Sequence, residues 1–264
     1  MQNTTQTSDS FKEFVQIIQR LRKECPWDRK QTHFSLRHFL VEEAFETSEA
    51  ISNADFGHLK SELGDILLQV VLHSVIAEEE KRFTLTDVID AVTEKMKRRH
   101  PHVFGNVEAE TPEEVLHNWE LIKLEEGRES ILEGIPESAP SLLRAYQIQM
   151  KAAKVGFDWS NKDDVWKKVE EEVNELHNAV LTDNEKKVEE EFGDLLFALV
   201  NYARWLKIQP ELALQSTVRK FVRRFKYIEE EIIKSGKNIG TLSLNEMDAF
   251  WDAVKRSERK DSIQ

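Results

Sequence analysis

The chain has 264 residues, of which 33% are charged and 40% are hydrophobic, and it carries a formal net charge of −12 at pH 7. This length predicts about two domains, and the hydrophobic content excludes disorder over most of the chain. The acidic balance argues against binding to duplex nucleic acid, which depends on neutralising phosphates. The single cysteine, Cys25, excludes a disulfide scaffold and a zinc site built from cysteines, and it favours a reducing, cytoplasmic compartment.

The apolar residues follow helical periodicity along nearly the whole chain, which predicts an all-α fold. No basic segment followed by an apolar stretch opens the chain, so we expect no signal peptide. The longest apolar-rich run, 66–77, is interrupted by Gln69, His73 and Ser74. It is too short to span a bilayer and predicts a buried helix, so we expect no membrane partner.

Two helix starts are marked by capping boxes. Thr111 is followed by a proline and then by Glu114, and Ser243 is followed three residues later by Glu246. Residues 127–140 hold two of the six prolines and two of the nine glycines, which is typical of a connection between domains. We therefore predict an N-terminal helical domain over 1–126, a linker over 127–145 and a C-terminal helical domain over 146–264.

An acidic pattern occurs twice in the chain. Glu-Glu-x-x-Glu at 42–46 is followed by Glu-x-x-Asp at 62–65, and the same two motifs return at 171–175 and 191–194. Each acidic residue of the second pair lies 129 positions after its counterpart, and an apolar run follows both copies. Together with the basic and aromatic repeats described below, this pattern predicts two tandem copies of one helical-hairpin domain.

The acidic residues are spaced so that they can converge. Glu43 and Glu46 are three residues apart and share one face of a helix, as do Glu62 and Asp65 on the next helix. Glu43, Glu62 and, in the second copy, Glu172 fall within or beside apolar stripes, where carboxylates are costly unless a cation neutralises them. Oxygen ligands favour Mg²⁺ or Mn²⁺, and Mg²⁺ favours substrates that bring phosphate oxygens. The alternative is a solvated, Glu-rich helix face.

Basic and aromatic residues also recur with one spacing. Lys-x-x-x-Arg at 95–99 returns at 220–224, and Trp-x-x-x-Lys at 119–123 returns at 251–255. Lys and Arg can hold phosphate oxygens that a metal does not reach, and Trp can stack on a base. The alternative is that the tryptophans are core anchors and the basic residues are surface charges.

These motifs resemble those of the MazG family of nucleoside triphosphate pyrophosphohydrolases. The repeated acidic pair carries the resemblance, together with Arg98–Phe104 and Lys154–Trp159, and the resemblance covers residues 11–258. It implies an all-α fold of helical hairpins and a homodimer. It also implies Mg²⁺-dependent hydrolysis of nucleoside triphosphates, with broad specificity, to a nucleoside monophosphate and pyrophosphate.

The resemblance further implies the residues of the site. The metal ligands would be Glu172, Glu175, Glu191 and Asp194 in the second copy, and Glu43, Glu46, Glu62 and Asp65 in the first. The nucleotide would be surrounded by Lys168, Lys187, Lys220, Arg224, Trp251 and Lys255. The predicted catalytic carboxylates are Glu171, Glu172 and Glu175, and either Glu171 or Glu175 would take the proton of the attacking water.

The two copies differ at positions that a triphosphate would contact. Where the second copy has Lys168 and Lys187, the first has Phe39 and His58. The first copy therefore lacks two permanent positive charges. We predict that the second copy carries most of the turnover and that the first is weaker, or chiefly structural and dimer-forming.

Two other functions fit the same residues. One is an all-α pyrophosphohydrolase restricted to a single substrate, such as dUTP or a phosphoribosyl nucleotide. The other is a non-enzymatic module whose Glu-rich faces bind a basic partner, which requires neither Mg²⁺ nor the fixed distance between the motifs. Pyrophosphate release that EDTA abolishes would distinguish an enzyme from such a module.

Overall fold

The computed structural model of the protein describes residues 4–127, 130–182 and 184–261. Over these residues the chain forms helices and turns and no β-strand, which confirms the predicted all-α fold. The chain divides into two compact units, Met1–Trp119 (unit 1) and Glu120–Gln264 (unit 2). The domain limits expected from the sequence, with a linker over 127–145, stay a prediction.

Unit 1 contains the helices of the first acidic repeat. They are α1 (Thr4–Glu24), α2 (His33–Ser52), α3 (Phe56–Glu79), α4 (Leu85–Arg99), α5 (Pro101–Phe104) and the first part of α6 (Pro112–Glu125), with a 3₁₀ turn at Asp28–Lys30. The predicted capping box at the start of α6 is confirmed. The Glu114 N–H donates to Thr111 Oγ1 at 3.2 Å, and the Thr111 N–H donates to Glu114 Oε2 at 3.3 Å.

Helices α2 and α3 pack along each other as a hairpin, and α1 packs against α3. The hairpin is delimited by side chains that cap its helices, because Thr32 accepts from the third residue of α2 and Asp55 accepts from the third residue of α3. Its core is built from Leu36 of α2 and from the apolar run 66–77, which lies entirely within α3 and is largely buried. The run is therefore a buried helix, as predicted.

Unit 2 contains the helices of the second repeat. They are α7 (Ser141–Lys154), α8 (Lys162–Leu181), α9 (Glu185–Trp205), α10 (Pro210–Lys234) and α11 (Leu244–Asp261), with a 3₁₀ turn at Ile239–Thr241. The predicted capping box of α11 is confirmed. The Ser243 N–H donates to Glu246 Oε2 at 3.0 Å, and the Glu246 N–H donates to Ser243 Oγ at 3.4 Å.

Helices α8 and α9 form the second hairpin, and α7 packs against α9. Asn161 and Asn184 cap the two helices of the hairpin, each by accepting from a backbone N–H in the first turn. Farther along the chain, α10 and α11 pack together through Ile228, Ile232 and Val254. The acidic repeat thus lies on two successive, antiparallel helices in each unit.

Within the described part of the chain, no helix is both long enough and apolar enough to cross a membrane. The cytoplasmic location that the cysteine content favours stays a prediction.

Candidate metal and nucleotide site

Three carboxylates of the second repeat converge in unit 2. Glu172 and Glu175 lie on α8 and Glu191 lies on α9, and one oxygen of each is within 4.8 Å of the other two. Glu172 is only 5% exposed, and its Oε2 has no hydrogen-bond partner among the described residues. A buried carboxylate oxygen without a partner is costly, so the arrangement fits a bound cation. These all-oxygen ligands suit Mg²⁺ or Mn²⁺.

The negative charges of the neighbouring acids make it harder to ionise the Glu191 carboxyl group of the cluster. Burial, followed by the charge of Glu175, raises the pKa of Glu191 above its ordinary value, and the nearby Lys187 ammonium acts in the opposite direction. Metal binding needs the ionised form, because only the carboxylate is a ligand. A divalent cation would therefore remove a repulsion that one lysine offsets only in part.

Lys168 lies directly over the buried end of the cluster. Its Nζ is 2.8 Å from Glu172 Oε1 and 2.7 Å from Glu171 Oε1. These hydrogen bonds to Glu171 and Glu172 raise the pKa of Lys168 above its ordinary value, so its positive charge is held at neutral pH. Glu171, one of the predicted catalytic carboxylates, thus contacts the site through Lys168.

Unit 1 repeats the cluster with Glu43 and Glu46 of α2 and Glu62 of α3, again with one oxygen of each within 4.8 Å of the others. Burial, followed by the charge of Asp65, raises the pKa of Glu43. Burial and the neighbouring Glu62 raise the pKa of Glu46. His58 Nε2 lies 2.8 Å from Glu62 Oε1.

The two clusters differ in which acid is buried. In unit 1 it is Glu62, on the second helix of the hairpin, with His58 one turn before it on the same helix. In unit 2 it is Glu172, on the first helix, with Lys168 one turn before it. The repeat therefore preserves the positions of the acids but not the side chain that contacts the buried one.

Asp65 and Asp194 do not belong to the groups that meet within 4.8 Å. Each still acts on its cluster, because the charge of Asp65 raises the pKa of Glu43 and that of Asp194 raises the pKa of Glu191. Asp194 is exposed and lines the cavity beside the cluster. The structure thus brings together three of the four acids predicted in each copy and leaves the fourth at the margin.

A cavity of about 700 Å³ adjoins the cluster of unit 2. One end is charged and is lined by Lys168, Glu172 and Asp194. The apolar lining residues, which we call the apolar end, are Ile148, Ala152, Phe157, Trp159, Phe197 and Ala198. A site with a polar end for phosphates and an apolar, aromatic end has the size and character of a small-molecule pocket.

An ion pair between Arg204 and Asp158 also lines the cavity. The Arg204 guanidinium, with a side chain only 10% exposed, pairs with Asp158, and its Nη1 lies 2.9 Å from Asp158 Oδ2. Burial works to raise the pKa of Asp158, but the hydrogen bonds from Arg204 and the Trp159 N–H outweigh it and lower that pKa. Gln149 and Asn201 line the cavity as well.

The sequence analysis did not predict Gln149, Asn201 or Arg204. The one available signal was Asp158, which lies within the Lys154–Trp159 stretch of the family resemblance. The other three carry no motif of their own. Their proximity results from α7 packing on α9.

The remaining predicted nucleotide contacts form a separate group on α10 and α11. Arg224 pairs with Glu258 at 2.6 Å and lies over the Trp251 ring, 5.6 Å from its centroid. Lys255 Nζ lies 5.8 Å from the same centroid, and Lys220 is exposed. Trp251 also packs against the core of these two helices. In the part of the chain that the structure describes, no contact joins these residues to the acidic cluster, so their role at the site stays a prediction.

The sequence is similar to that of proteins with known family membership. A profile of the MazG nucleotide pyrophosphohydrolase domain matches residues 31–104 and 161–228. A Thermotoga maritima protein named nucleoside triphosphate pyrophosphohydrolase/pyrophosphatase MazG is 45% identical over 250 residues, which cover 93% of this chain and 95% of the relative. The nucleoside triphosphate pyrophosphohydrolase of Escherichia coli K12 is 44% identical over 253 residues, covering 92% and 95%.

A solved structure is also similar. The crystal structure of a MazG-related protein from Thermotoga maritima shares 30% sequence identity and covers 43% of this chain and 98% of that protein, with a TM-score of 0.39.

Two tandem helical hairpins, each with converging carboxylates, define an all-α protein with two candidate metal centres. The two profile matches and the relatives that align over nearly its whole length show that this chain belongs to the MazG family.

Repulsion within the cluster predicts an unusual stability change. In EDTA at pH 7, Glu191→Gln should raise the melting temperature, because the raised pKa means that the ionised Glu191 destabilises the folded protein. The gain should shrink as the pH falls to about 4, where the wild-type carboxyl binds a proton. Saturating Mg²⁺ should reverse the order, because only the wild type keeps the full ligand set.

The measurement is differential scanning calorimetry of the full chain with and without Mg²⁺. Glu189→Gln, an exposed position on the same helix, is the matched control and should change little. A lower melting temperature for Glu191→Gln in EDTA would contradict the repulsive cluster.

Proposed function

We propose that the protein is a Mg²⁺-dependent nucleoside triphosphate pyrophosphohydrolase of broad specificity, and that unit 2 carries most of its activity. The observation that carries the proposal is the convergence of Glu172, Glu175 and Glu191 beside a cavity with a lysine at one end and aromatic walls at the other. The names of the similar proteins support the same activity.

Glu172, Glu175 and Glu191 would hold the metal, with Asp194 at the margin of the site. Bound Mg²⁺ would polarise the α-phosphoryl group and lower the pKa of a coordinated water. The water oxygen attacks the α-phosphorus, and the bond from that phosphorus to the oxygen bridging to the β-phosphorus breaks. Pyrophosphate leaves with the electron pair, and a carboxylate takes the proton of the water.

Glu171 and Glu175 are the candidates for that carboxylate. Both are exposed, so either can release its proton to solvent after the reaction. Glu175 is part of the converging group, whereas Glu171 is bound to Lys168 at 2.7 Å. Lys168 and Lys187 offset the charge that develops on the leaving pyrophosphate. Lys220, Arg224, Trp251 and Lys255 would contribute if the α10–α11 group reaches a bound nucleotide.

The packing of unit 1 supports the inequality of the two copies. The positions that correspond to Lys168, Asn201 and Arg204 of the cavity are Phe39, Leu72 and Val75 in unit 1. All three belong to the apolar core of that unit or pack against it. Unit 1 thus places core side chains where unit 2 has the polar lining of a cavity.

An exposed apolar face supports a homodimer. Leu63, Leu67 and Val70 follow one face of α3 and are exposed. Phe192, Leu196 and Leu199 occupy the corresponding positions of α9 and are exposed as well. An exposed apolar stripe at helical spacing is typical of a helix surface that packs against another protein chain.

The activity is tested with the eight common nucleoside and deoxynucleoside triphosphates and Mg²⁺, with pyrophosphate and orthophosphate measured separately. We expect pyrophosphate from several triphosphates and its loss in EDTA. Orthophosphate as the primary product would contradict cleavage at the α-phosphorus, and release from one triphosphate only would favour the narrow-specificity enzyme. The absence of any release would favour the non-enzymatic module.

Paired substitutions test the unequal copies. Glu172→Gln should lower kcat by about 100-fold or more, because it removes a charged metal ligand while keeping a side chain of nearly the same size and shape. Glu43→Gln at the corresponding position of unit 1 should leave kcat within about twofold of the wild type, and it serves as the matched control. Similar losses from both variants, with circular dichroism unchanged, would contradict the proposed inequality.

The dimer is tested by light scattering coupled to size-exclusion chromatography. The wild type should elute with twice the mass of one chain, and the double variant Leu67→Glu, Leu196→Glu should elute as one chain, because it places charge on both apolar faces. Leu244→Glu, an exposed position at the start of α11, is the control and should not change the mass. A monomeric wild type would contradict the dimer.

A further inference from the structure

The lining of the unit 2 cavity includes an amide whose orientation is fixed. Gln149 of α7 is 7% exposed, and its Nε2 donates to the Phe197 carbonyl of α9 at 2.9 Å. A carbonyl oxygen only accepts, so the atom facing it is the nitrogen, and the other amide atom of Gln149 is the oxygen. This Oε1 is buried and has no hydrogen-bond partner within the described ranges.

A second amide lies one helical turn farther along α9. Asn201 Oδ1 accepts from Arg204 Nε at 3.0 Å and from Arg204 Nη2 at 2.8 Å. A guanidinium only donates, so this contact fixes the Asn201 oxygen toward Arg204 and leaves Nδ2 as a donor on the other side. Asp158 anchors Arg204 in turn. Nδ2 of Asn201 donates to none of the described residues.

Among the described residues, the cavity lining therefore includes one residue with an unpaired acceptor and one with an unpaired donor, each held by a partner on α9. Around them lie the aromatic side chains Phe157, Trp159 and Phe197. Phe157 is among the most exposed apolar side chains of the protein, at 83%, which leaves its ring available to a ligand.

A buried amide oxygen without a partner is costly, and such groups in folded proteins are generally satisfied by a ligand or by water. Aromatic walls with a few fixed polar groups are the usual means of holding a flat heteroaromatic ring. The charged end of the same cavity meets the acidic cluster, where a polyphosphate would lie if the proposed function holds. The ring at the apolar end is then the base of that nucleotide.

We propose that Gln149 and Asn201 are specificity-determining residues that read one donor–acceptor edge of the base. This inference rests on the proposed function. Gln149 Oε1 accepts a hydrogen bond from the base, and Asn201 Nδ2 donates one to the neighbouring ring atom or carbonyl. Arg204 and Asp158 are positioning residues that hold the Asn201 amide in this orientation.

The pair accounts for broad specificity. The Watson–Crick edge of each common base has a donor next to an acceptor, namely the amine and ring nitrogen of adenine and cytosine, or the ring N–H and carbonyl of guanine and uracil. All four can satisfy the same two amides. The pair instead rejects a ring that lacks the donor, because Gln149 Oε1 then stays buried and unpaired.

The corresponding positions in unit 1 lack the pair. Leu72 and Val75 stand where unit 2 has Asn201 and Arg204, and both are buried in the apolar core. Only unit 2 can therefore recognise the base in this way, and unit 2 is also the copy in which Lys168 contacts the acidic cluster.

The test compares ATP with purine riboside triphosphate, which keeps the ring nitrogen acceptor of adenine and lacks the amine donor. The full-length wild type should bind ATP about tenfold or more tightly in Ca²⁺, measured by calorimetry, and should show the same preference in kcat/KM for pyrophosphate release in Mg²⁺. Equal dissociation constants for the two nucleotides in the wild type would overturn the proposal.

Two variants separate recognition from folding. Gln149→Leu should abolish the preference for ATP, and Gln147→Leu on the same helix, outside the cavity lining, should retain it. Asn201→Asp keeps the contact with Arg204 but removes the donor, so it should weaken both nucleotides about equally. Preserved discrimination in Gln149→Leu would overturn the proposal.

Failure of the proposed function would be seen separately. It would appear as an absence of pyrophosphate release from ATP by the wild type, whereas the two dissociation constants in Ca²⁺ still decide whether the pair reads the base.

Discussion

Each hairpin of the protein brings three carboxylates from two facing helices within 4.8 Å of one another, and at least one of the three is buried. Charges of one sign at this distance repel, and burial of one of them strengthens the repulsion, so a cation or a basic side chain beside them would stabilise the folded hairpin. Burial, followed by the charges of neighbouring acids, raises the pKa values of Glu43 and Glu191. In unit 2 the Lys168 ammonium offsets part of this repulsion, and the proposed metal ion would offset it in both units.

The two units meet the constraint differently, and the difference extends into their packing. In unit 2 a lysine with a firmly held charge contacts the buried acid, and the neighbouring side chains leave a cavity. In unit 1 a histidine makes the corresponding contact. The positions that line the cavity in unit 2 are occupied in unit 1 by leucine, valine and phenylalanine, which pack in the core or against it. Duplication has thus preserved the hairpin, while substitutions at a few positions decide whether it encloses a cavity or an apolar core.

The proposed chemistry depends on a cavity that has both charged and aromatic lining residues. The acids and Lys168 provide charge where phosphates would lie, and the aromatic side chains provide an apolar wall where a base would lie. The amides of Gln149 and Asn201 connect the two, because a base held by its edge fixes the position of the polyphosphate attached to it. Broad specificity then requires no flexible pocket, since one donor and one acceptor serve every common base.

Much of this could be predicted from the sequence. Helical periodicity, the capping boxes at Thr111 and Ser243 and the 129-residue repeat are local or regular patterns, so they predicted the all-α fold and the duplicated hairpins. The acidic spacing predicted that four acids would converge in each copy, because residues three apart share a helix face. Three of the four meet in each copy, and Asp65 and Asp194 do not.

Tertiary structure alone decided the rest. Which acid is buried, why Asp65 and Asp194 lie at the margin, and why the Arg224 and Trp251 group packs on α10 and α11 all depend on how the helices are rotated against each other. The Gln149, Asn201 and Arg204 network joins helices far apart in the sequence. Periodicity reports which face of a helix is apolar, but it carries no information on which distant side chain meets that face.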